Sequence, residues 1–124
     1  MQIKSKRDIG YAGETAVCKF LRKNGYEILK KNYTVRGGEI DIIAKKNDCV
    51  AFVEVKTRKL DAFQSGEEAV TKSKQKRIIK TAKRYFSLLD EPCSGRFDVA
   101  VVEMSGEEIK KIKYYVSAFD ASTD

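Results

Sequence analysis

The chain of 124 residues contains no histidine and no tryptophan, a single proline and three cysteines. Without imidazole, Ser/His/Asp and Cys/His nucleophile schemes are excluded, together with most zinc and haem sites. Catalysis in such a chain has to use carboxylates, lysines, tyrosines, cysteines or a hard metal ion. Cys18, Cys49 and Cys93 are odd in number and have no CxxC or zinc-like spacing, so a reducing cytoplasm is the simplest setting. No apolar run approaches the roughly 18 residues of a membrane span, and Met1 to Arg7 is polar and basic, unlike a secretory signal. A soluble cytoplasmic protein is therefore expected, with no membrane partner.

The balance of what remains is basic. The net charge is +7 and the pI is near 9.3, which favours a polyanionic partner, nucleic acid or an anionic membrane surface, without choosing between them. The length suits one domain, 1–124, with a core from about residue 9 to 119 and no internal repeat, linker or low-complexity segment.

The strongest local signal is a pair of short segments rich in branched apolar residues, Gly38 to Ala44 and Val50 to Lys56, each strand-like. A two-residue turn at Asn47-Asp48 pairs Lys46 with Cys49. Counting back sets Ile43 opposite Phe52, Asp41 opposite Glu54 and Glu39 opposite Lys56. Two carboxylates face to face repel unless a positive charge lies between them, and Mg²⁺ is satisfied by one or two carboxylates with water in its other positions. Lys56 points to the same side as Glu54. A slip of one residue would undo the cluster, and the competing reading is a half-exposed hairpin in which Glu39 and Lys56 form an ordinary pair while both acids face water.

The flanking segments complete an α/β pattern. Asp8 is placed to cap a helix from Ile9 to Asn24, closed by Gly25, with Ile9, Ala16, Phe20 and Leu21 on its buried side. Glu14 falls on the flank of that stripe, beside Val17 and Leu21, where it either points into a cleft or serves as a surface acid in an early helical turn. Tyr26 to Leu29, extended through Val35, forms a first strand, and Gly37-Gly38 turns into the acidic strand. Lys59 to Gly66 has no period and is expected to be a loop near the substrate.

A second helix is expected from Thr71 to Leu89, with Ile78, Ile79, Ala82, Tyr85, Phe86 and Leu89 inward and Pro92 beyond as a stop. Arg96 to Glu103 and Ile109 to Ala118 close the domain as a β-hairpin around Ser105-Gly106. The second helix carries Lys72, Lys74, Lys76, Arg77, Lys80, Lys83 and Arg84 with no acid between them. Stacked like charges cost stability and imply phosphates as the missing partner. A merely solvated face and an amphipathic membrane-surface helix are the rival readings. Tyr11, Tyr26, Tyr33 and Phe63 are candidates for base stacking or for packing.

Taken together, Gly10 to Ala16, Gly38 to Ala44, Phe52-Val53-Glu54-Val55-Lys56-Thr57-Arg58, Lys74-Gln75-Lys76-Arg77 and Arg96-Phe97-Asp98-Val99 resemble the bacterial YraN-like family of the restriction-endonuclease-like, PD-(D/E)xK, superfamily. The resemblance runs from about Ile9 to Phe119 and departs from the superfamily's literal motif at Ile40, where a proline would stand. It implies an αβββαβ core, a central mixed sheet flanked by helices, with the C-terminal hairpin added. It implies an endonuclease dependent on Mg²⁺ or Mn²⁺, with Asp41 and Glu54 as metal-binding carboxylates and Lys56 as the signature lysine. The Val55 carbonyl and Glu14 would be further ligands, and Arg36 and Arg58 phosphate contacts beside the basic residues Lys72, Lys74, Arg77, Lys80 and Arg84. Similarity to archaeal-type Holliday-junction resolvases implies branched or structured DNA as substrate, ahead of RNA. The alternatives are a catalytically inactive nucleic-acid-binding or adaptor module on the same fold, and a structural protein that forms a homodimer through the hairpin or a sheet edge.

Overall fold

A computed structural model describes residues 6–60, 70–90 and 93–121. The elements follow the order α1 (Lys6–Lys23), β1 (Glu27–Val35), β2 (Gly38–Lys46), β3 (Cys49–Lys59), α2 (Lys72–Phe86), β4 (Ser94–Ser105) and β5 (Glu108–Phe119). The five strands form one sheet in sequence order. All neighbours are antiparallel except β3 and β4, which run parallel. A parallel pair needs a long crossover, and α2 lies within that crossover.

The sheet is covered on both faces. Val17, Cys18 and Leu21 of α1 pack with Ile42, Ala44, Ala51, Val53, Ala100 and Val102 on one side. Ile78, Ile79, Ala82 and Tyr85 of α2 pack with Ile43, Val50, Phe52 and Phe97 on the other. Strands buried on both faces lose the apolar/polar alternation and become continuous apolar runs, as Val50 to Val53 does. Among the described residues Phe52 is the largest fully buried side chain, and it touches the rings of Tyr85, Phe86 and Phe97. Its burial contributes on the order of 2–3 kcal/mol.

Two ends differ from expectation. Helix α1 already includes Lys6, so Asp8 sits inside its first turn rather than at its cap. There its charge complements the helix dipole. The other end matches: Tyr26 N–H reaches Leu21 O at 2.9 Å and Gly25 N–H reaches Arg22 O at 3.0 Å. With Gly25 at φ +89°, this is the paired-bond stop that ends many helices. Helix α2 stops at Phe86, a turn short of Leu89, with Thr71 as N-cap and its hydroxyl accepting from Lys74 N–H at 3.2 Å. Pro92 and the expected loop after Leu60, including Phe63, lie outside the described residues.

Candidate metal and nucleic-acid site

The hairpin register runs as the turn dictates, from Lys46 opposite Cys49 through Ile43 opposite Phe52 to Ile42 opposite Val53. Asn47 adopts φ 55° in the connection. One step further, where Asp41 and Glu54 would pair, the ladder ends. Instead the Asp41 carboxylate leaves the ladder direction and its Oδ2 accepts the Val55 N–H at 2.8 Å. The side chain thus fills a donor that the next backbone bond would have used. Past this point β2 also turns over: Ile42 is buried on the α1 side and Ile40, two residues away, on the α2 side. Regular alternation would have placed both on one face.

This opening at the end of the β2–β3 pair lets side chains from both helix layers approach. Gly13 lies close against β3, since a Cβ there would come 2.8 Å from Thr57 Oγ1. That close approach seats the next residue, Glu14, beside the acids. On the opposite face a Cβ on Gly38 would overlap Thr81 Oγ1 and meet Arg77 O at 3.2 Å. The absence of a side chain there lets α2 descend onto the start of β2 and brings Lys74 to the same place.

Lys74 forms an ion pair with Glu54 Oε1. Glu54 is only 5% exposed while the Lys74 side chain is 45% exposed, so the lysine stem reaches from the surface to a buried carboxylate. Burial, followed by the Glu54 charge and, more weakly, Glu14, pushes Asp41 up to about 7 against the pull of the Val55 hydrogen bond. Glu14 is also raised, by burial first, with an Asn32 hydrogen bond opposing it and Glu39 adding to it. Its Oε1 is buried without a hydrogen-bond partner. Burial would lower Lys74, but the hydrogen bond and charge of Glu54, with Asp41 and Glu39, outweigh it and raise its proton affinity. Such a site favours positive charge.

The donor set suits a hard divalent cation in its simplest form, two carboxylates with water completing the shell. Among the described residues no group of three or more acids or cysteines is gathered closely enough to hold an ion. Asp41 and Glu54 are near enough for their charges to interact, and Glu14 acts more weakly on Asp41. Lys56 is half-buried two residues beyond Glu54 on β3. The Val55 backbone is bonded to Asp41 through its N–H.

Of the expected phosphate contacts, Lys72, Arg77, Lys80 and Arg84 are exposed on α2, Arg36 is exposed in the β1–β2 turn, and Arg58 is half-buried on β3. A groove of about 450 Å³ is lined by Thr34, Val35, Gly37, Gly38, Glu39, Lys74, Arg77 and Ile78, and Lys74 links it to Glu54. Tyr11 is exposed at 62%, with Lys31 over its ring. Tyr33 packs edge-on against Tyr85, and Tyr26 is engaged by Arg96.

Two features escaped sequence reasoning. Lys74 was expected as a phosphate contact of the basic helix, and its ion pair with Glu54 was not; that pair depends on how α2 docks. The second is the Arg96–Asp98 pair. Asp98 is fully buried and bound through Arg96 Nε at 2.9 Å and Nη2 at 2.8 Å. It also accepts from the Tyr114 hydroxyl at 2.6 Å and Ser117 N–H at 2.9 Å. Arg96 in turn meets Tyr26 Oη at 2.6 Å. The i, i+2 spacing placed both on one face of a strand, and that was the available signal.

Known proteins match most of the chain. The family model described as uncharacterised protein family UPF0102 matches residues 13–102. A UPF0102 protein of Chlorobium phaeobacteroides is 44% identical over 119 residues, spanning 91% of this chain and 94% of its own. One from Trichlorobacter lovleyi is 42% identical over 120 residues, 94% of each chain. One from Lachnoclostridium phytofermentans is 45% identical over 119 residues, 94% of this chain and 97% of its own. The matched region contains Glu14, Asp41, Glu54, Lys56 and Lys74, and the chain belongs to the UPF0102 family, the YraN-like group that its motifs resemble.

Proposed function

We propose that this protein is a metal-dependent endonuclease that hydrolyses phosphodiester bonds in DNA, on a fold of the restriction-endonuclease-like, PD-(D/E)xK, type. The observation that carries this reading is the Asp41 carboxylate turned out of the ladder onto the N–H of Val55, the residue next to Glu54, with burial and then the Glu54 charge raising its pKa. Two acids kept partly desolvated against their own repulsion are costly unless a cation joins them. The order of elements, α1, three antiparallel strands, α2 and a parallel strand, supports the fold reading.

Asp41 and Glu54 would hold Mg²⁺ or Mn²⁺, which when bound supplies charge neutralisation and an acidified water. Val55 contributes in two ways, its N–H fixing the Asp41 rotamer and its carbonyl offering a further oxygen. Lys56 is assigned to orient the attacking water or to stabilise charge that develops on the phosphate. The exposed bases of α2, with Arg36 and Arg58, hold the strand through its phosphates, which makes binding steeply dependent on salt. Branched or structured DNA is the substrate class assigned, with DNA ahead of RNA.

The test is cleavage of labelled duplex, flap and four-way-junction DNA with Mn²⁺, using wild type, Asp41→Ala and Lys56→Ala. Wild-type cleavage lost in both variants supports the assignment, and equal cleavage by all three removes it. A second reading, a nucleic-acid-binding module without turnover, draws on the Lys74 ammonium already neutralising Glu54. It expects salt-sensitive DNA affinity that is indifferent to divalent ions and no cleavage of any of these substrates.

A further inference from the structure

Lys74 lies on the boundary between two sites. On one side its ammonium rests on Glu54 Oε1, and on the other its side chain forms part of the groove wall, with Gly38, Glu39, Arg77 and Ile78. The acids around the opening, Asp41, Glu54, Glu39 and Glu14, come from β2, β3 and α1, and Lys74 from α2 is a cation bound directly to one of them. A divalent ion on Glu54 would claim the same oxygen lone pairs and repel the ammonium, so the two cannot occupy Glu54 Oε1 together.

The charge of the groove depends on which of them is there. With Lys74 committed to Glu54, Arg77 and Glu39 cancel along the groove wall. Released from Glu54, Lys74 adds a positive charge to Arg77 on the same wall. Lys74 and Arg77 are three residues apart on α2 and share one helix face. The side chain is half-exposed, so its ammonium can leave without disturbing the core.

We propose that the groove between the β1–β2 turn and α2 is a subsite for a phosphate of the nucleic-acid strand, completed by Lys74 when a divalent cation takes its place on Glu54. This rests on the nuclease reading and adds to it an order of events. Lys74 neutralises Glu54 in the absence of metal, and the arrival of the cation turns an uncharged groove into a phosphate-binding one. Metal and strand affinity are thereby coupled through one side chain, and the coupling has to be reciprocal.

The experiment measures Mn²⁺ affinity by calorimetry in wild type, Lys74→Met, Lys74→Arg and Lys80→Met. It also measures the affinity of a hydrolysis-resistant phosphorothioate DNA strand with and without Mg²⁺. Removing a competing, partly exposed ion pair should tighten Mn²⁺ binding by Lys74→Met roughly three- to tenfold. The same variant should lose most of the metal-dependent gain in DNA affinity. Lys74→Arg should retain the gain, and Lys80→Met should weaken DNA binding equally with and without metal while leaving Mn²⁺ affinity unchanged. Unchanged Mn²⁺ affinity in Lys74→Met overturns the proposal, as does a metal-dependent gain that survives the substitution.

If Lys74→Met fails to fold, lysine side-chain NMR of the wild type gives the same decision. One ammonium signal should change on Mg²⁺ addition, and a lysine spectrum without change overturns the exchange. Wild-type protein that binds no divalent ion overturns the nuclease reading as well. Cleavage by wild type with no change in the Lys74 measurements overturns this inference alone.

Discussion

Replacing Asp41 by Asn should stabilise the protein at alkaline pH, because the native carboxylate is held where its ionisation is penalised. Its pKa is raised from 3.8 to about 7, by burial first and then by Glu54. Below the lower value both folded and unfolded chains carry the proton and nothing is lost. Between the two values the unfolded chain releases its proton while the folded one keeps it, so stability falls as pH rises. Above about 7 the loss levels off. The accumulated cost is on the order of 2 kcal/mol at pH 5 and of 4 kcal/mol at pH 8.5. Asn has no ionisation to penalise, and its carbonyl can still accept the Val55 N–H. Urea unfolding in EDTA at several pH values measures the difference, through the midpoint at constant slope. Asp41→Asn should be the more stable protein by several kcal/mol at pH 8.5, with the gap closing towards pH 4. Saturating Mg²⁺ or Mn²⁺ should restore much of the wild-type deficit, about 2.7 kcal/mol at a hundred times Kd, and should do nothing for the variant. A variant no more stable than wild type at pH 8.5, or a gap that ignores pH, would refute the electrostatic account of the site.

Other consequences follow from the packing and the charges. Gly38→Ala should destabilise by roughly 1–3 kcal/mol, because its Cβ overlaps Thr81 Oγ1; thermal unfolding should show that adding Thr81→Ala recovers part of the loss, the clash with Arg77 O remaining. Asp98→Ala leaves Arg96 and Tyr114 without their shared acceptor and should cost about 3–5 kcal/mol in denaturant unfolding; a neutral result would mean that the pair is dispensable to the fold. Lys72→Gln and Lys80→Gln should each lower the slope of log affinity for DNA against log salt by about 0.9 for every phosphate no longer neutralised, with similar effects on all DNA sequences. Unchanged slopes would assign those side chains to solvent.

The sequence was most legible where geometry is local. The Asn47-Asp48 connection and the period of the strands placed Ile43 opposite Phe52, and helical spacing put Glu14 on the flank of α1. The order of elements and the inward face of α2 followed from periodicity for the same reason. What escaped depends on packing between distant segments. Pairing rules extended to Asp41 and Glu54 assume a regular ladder, whereas the Asp41 carboxylate bonds to Val55 N–H and β2 changes faces at that point. Lys74 is set apart from its basic neighbours by the docking of α2 on Gly38, a close approach that no helical period encodes. The role of Asp98 is fixed by Tyr114 and Ser117 on β5, well along the chain from the motif it belongs to. Asp8, which had the chemistry of a cap, was overtaken by a helix that begins before it.

The most direct measurement is the anomalous difference map of a crystal soaked in Mn²⁺ at neutral to alkaline pH. A single strong peak between the carboxylates of Asp41 and Glu54, with the Lys74 ammonium moved off Glu54 into the groove, is the predicted result. Density at neither carboxylate, with Lys74 still seated on Glu54 at saturating Mn²⁺, would contradict it.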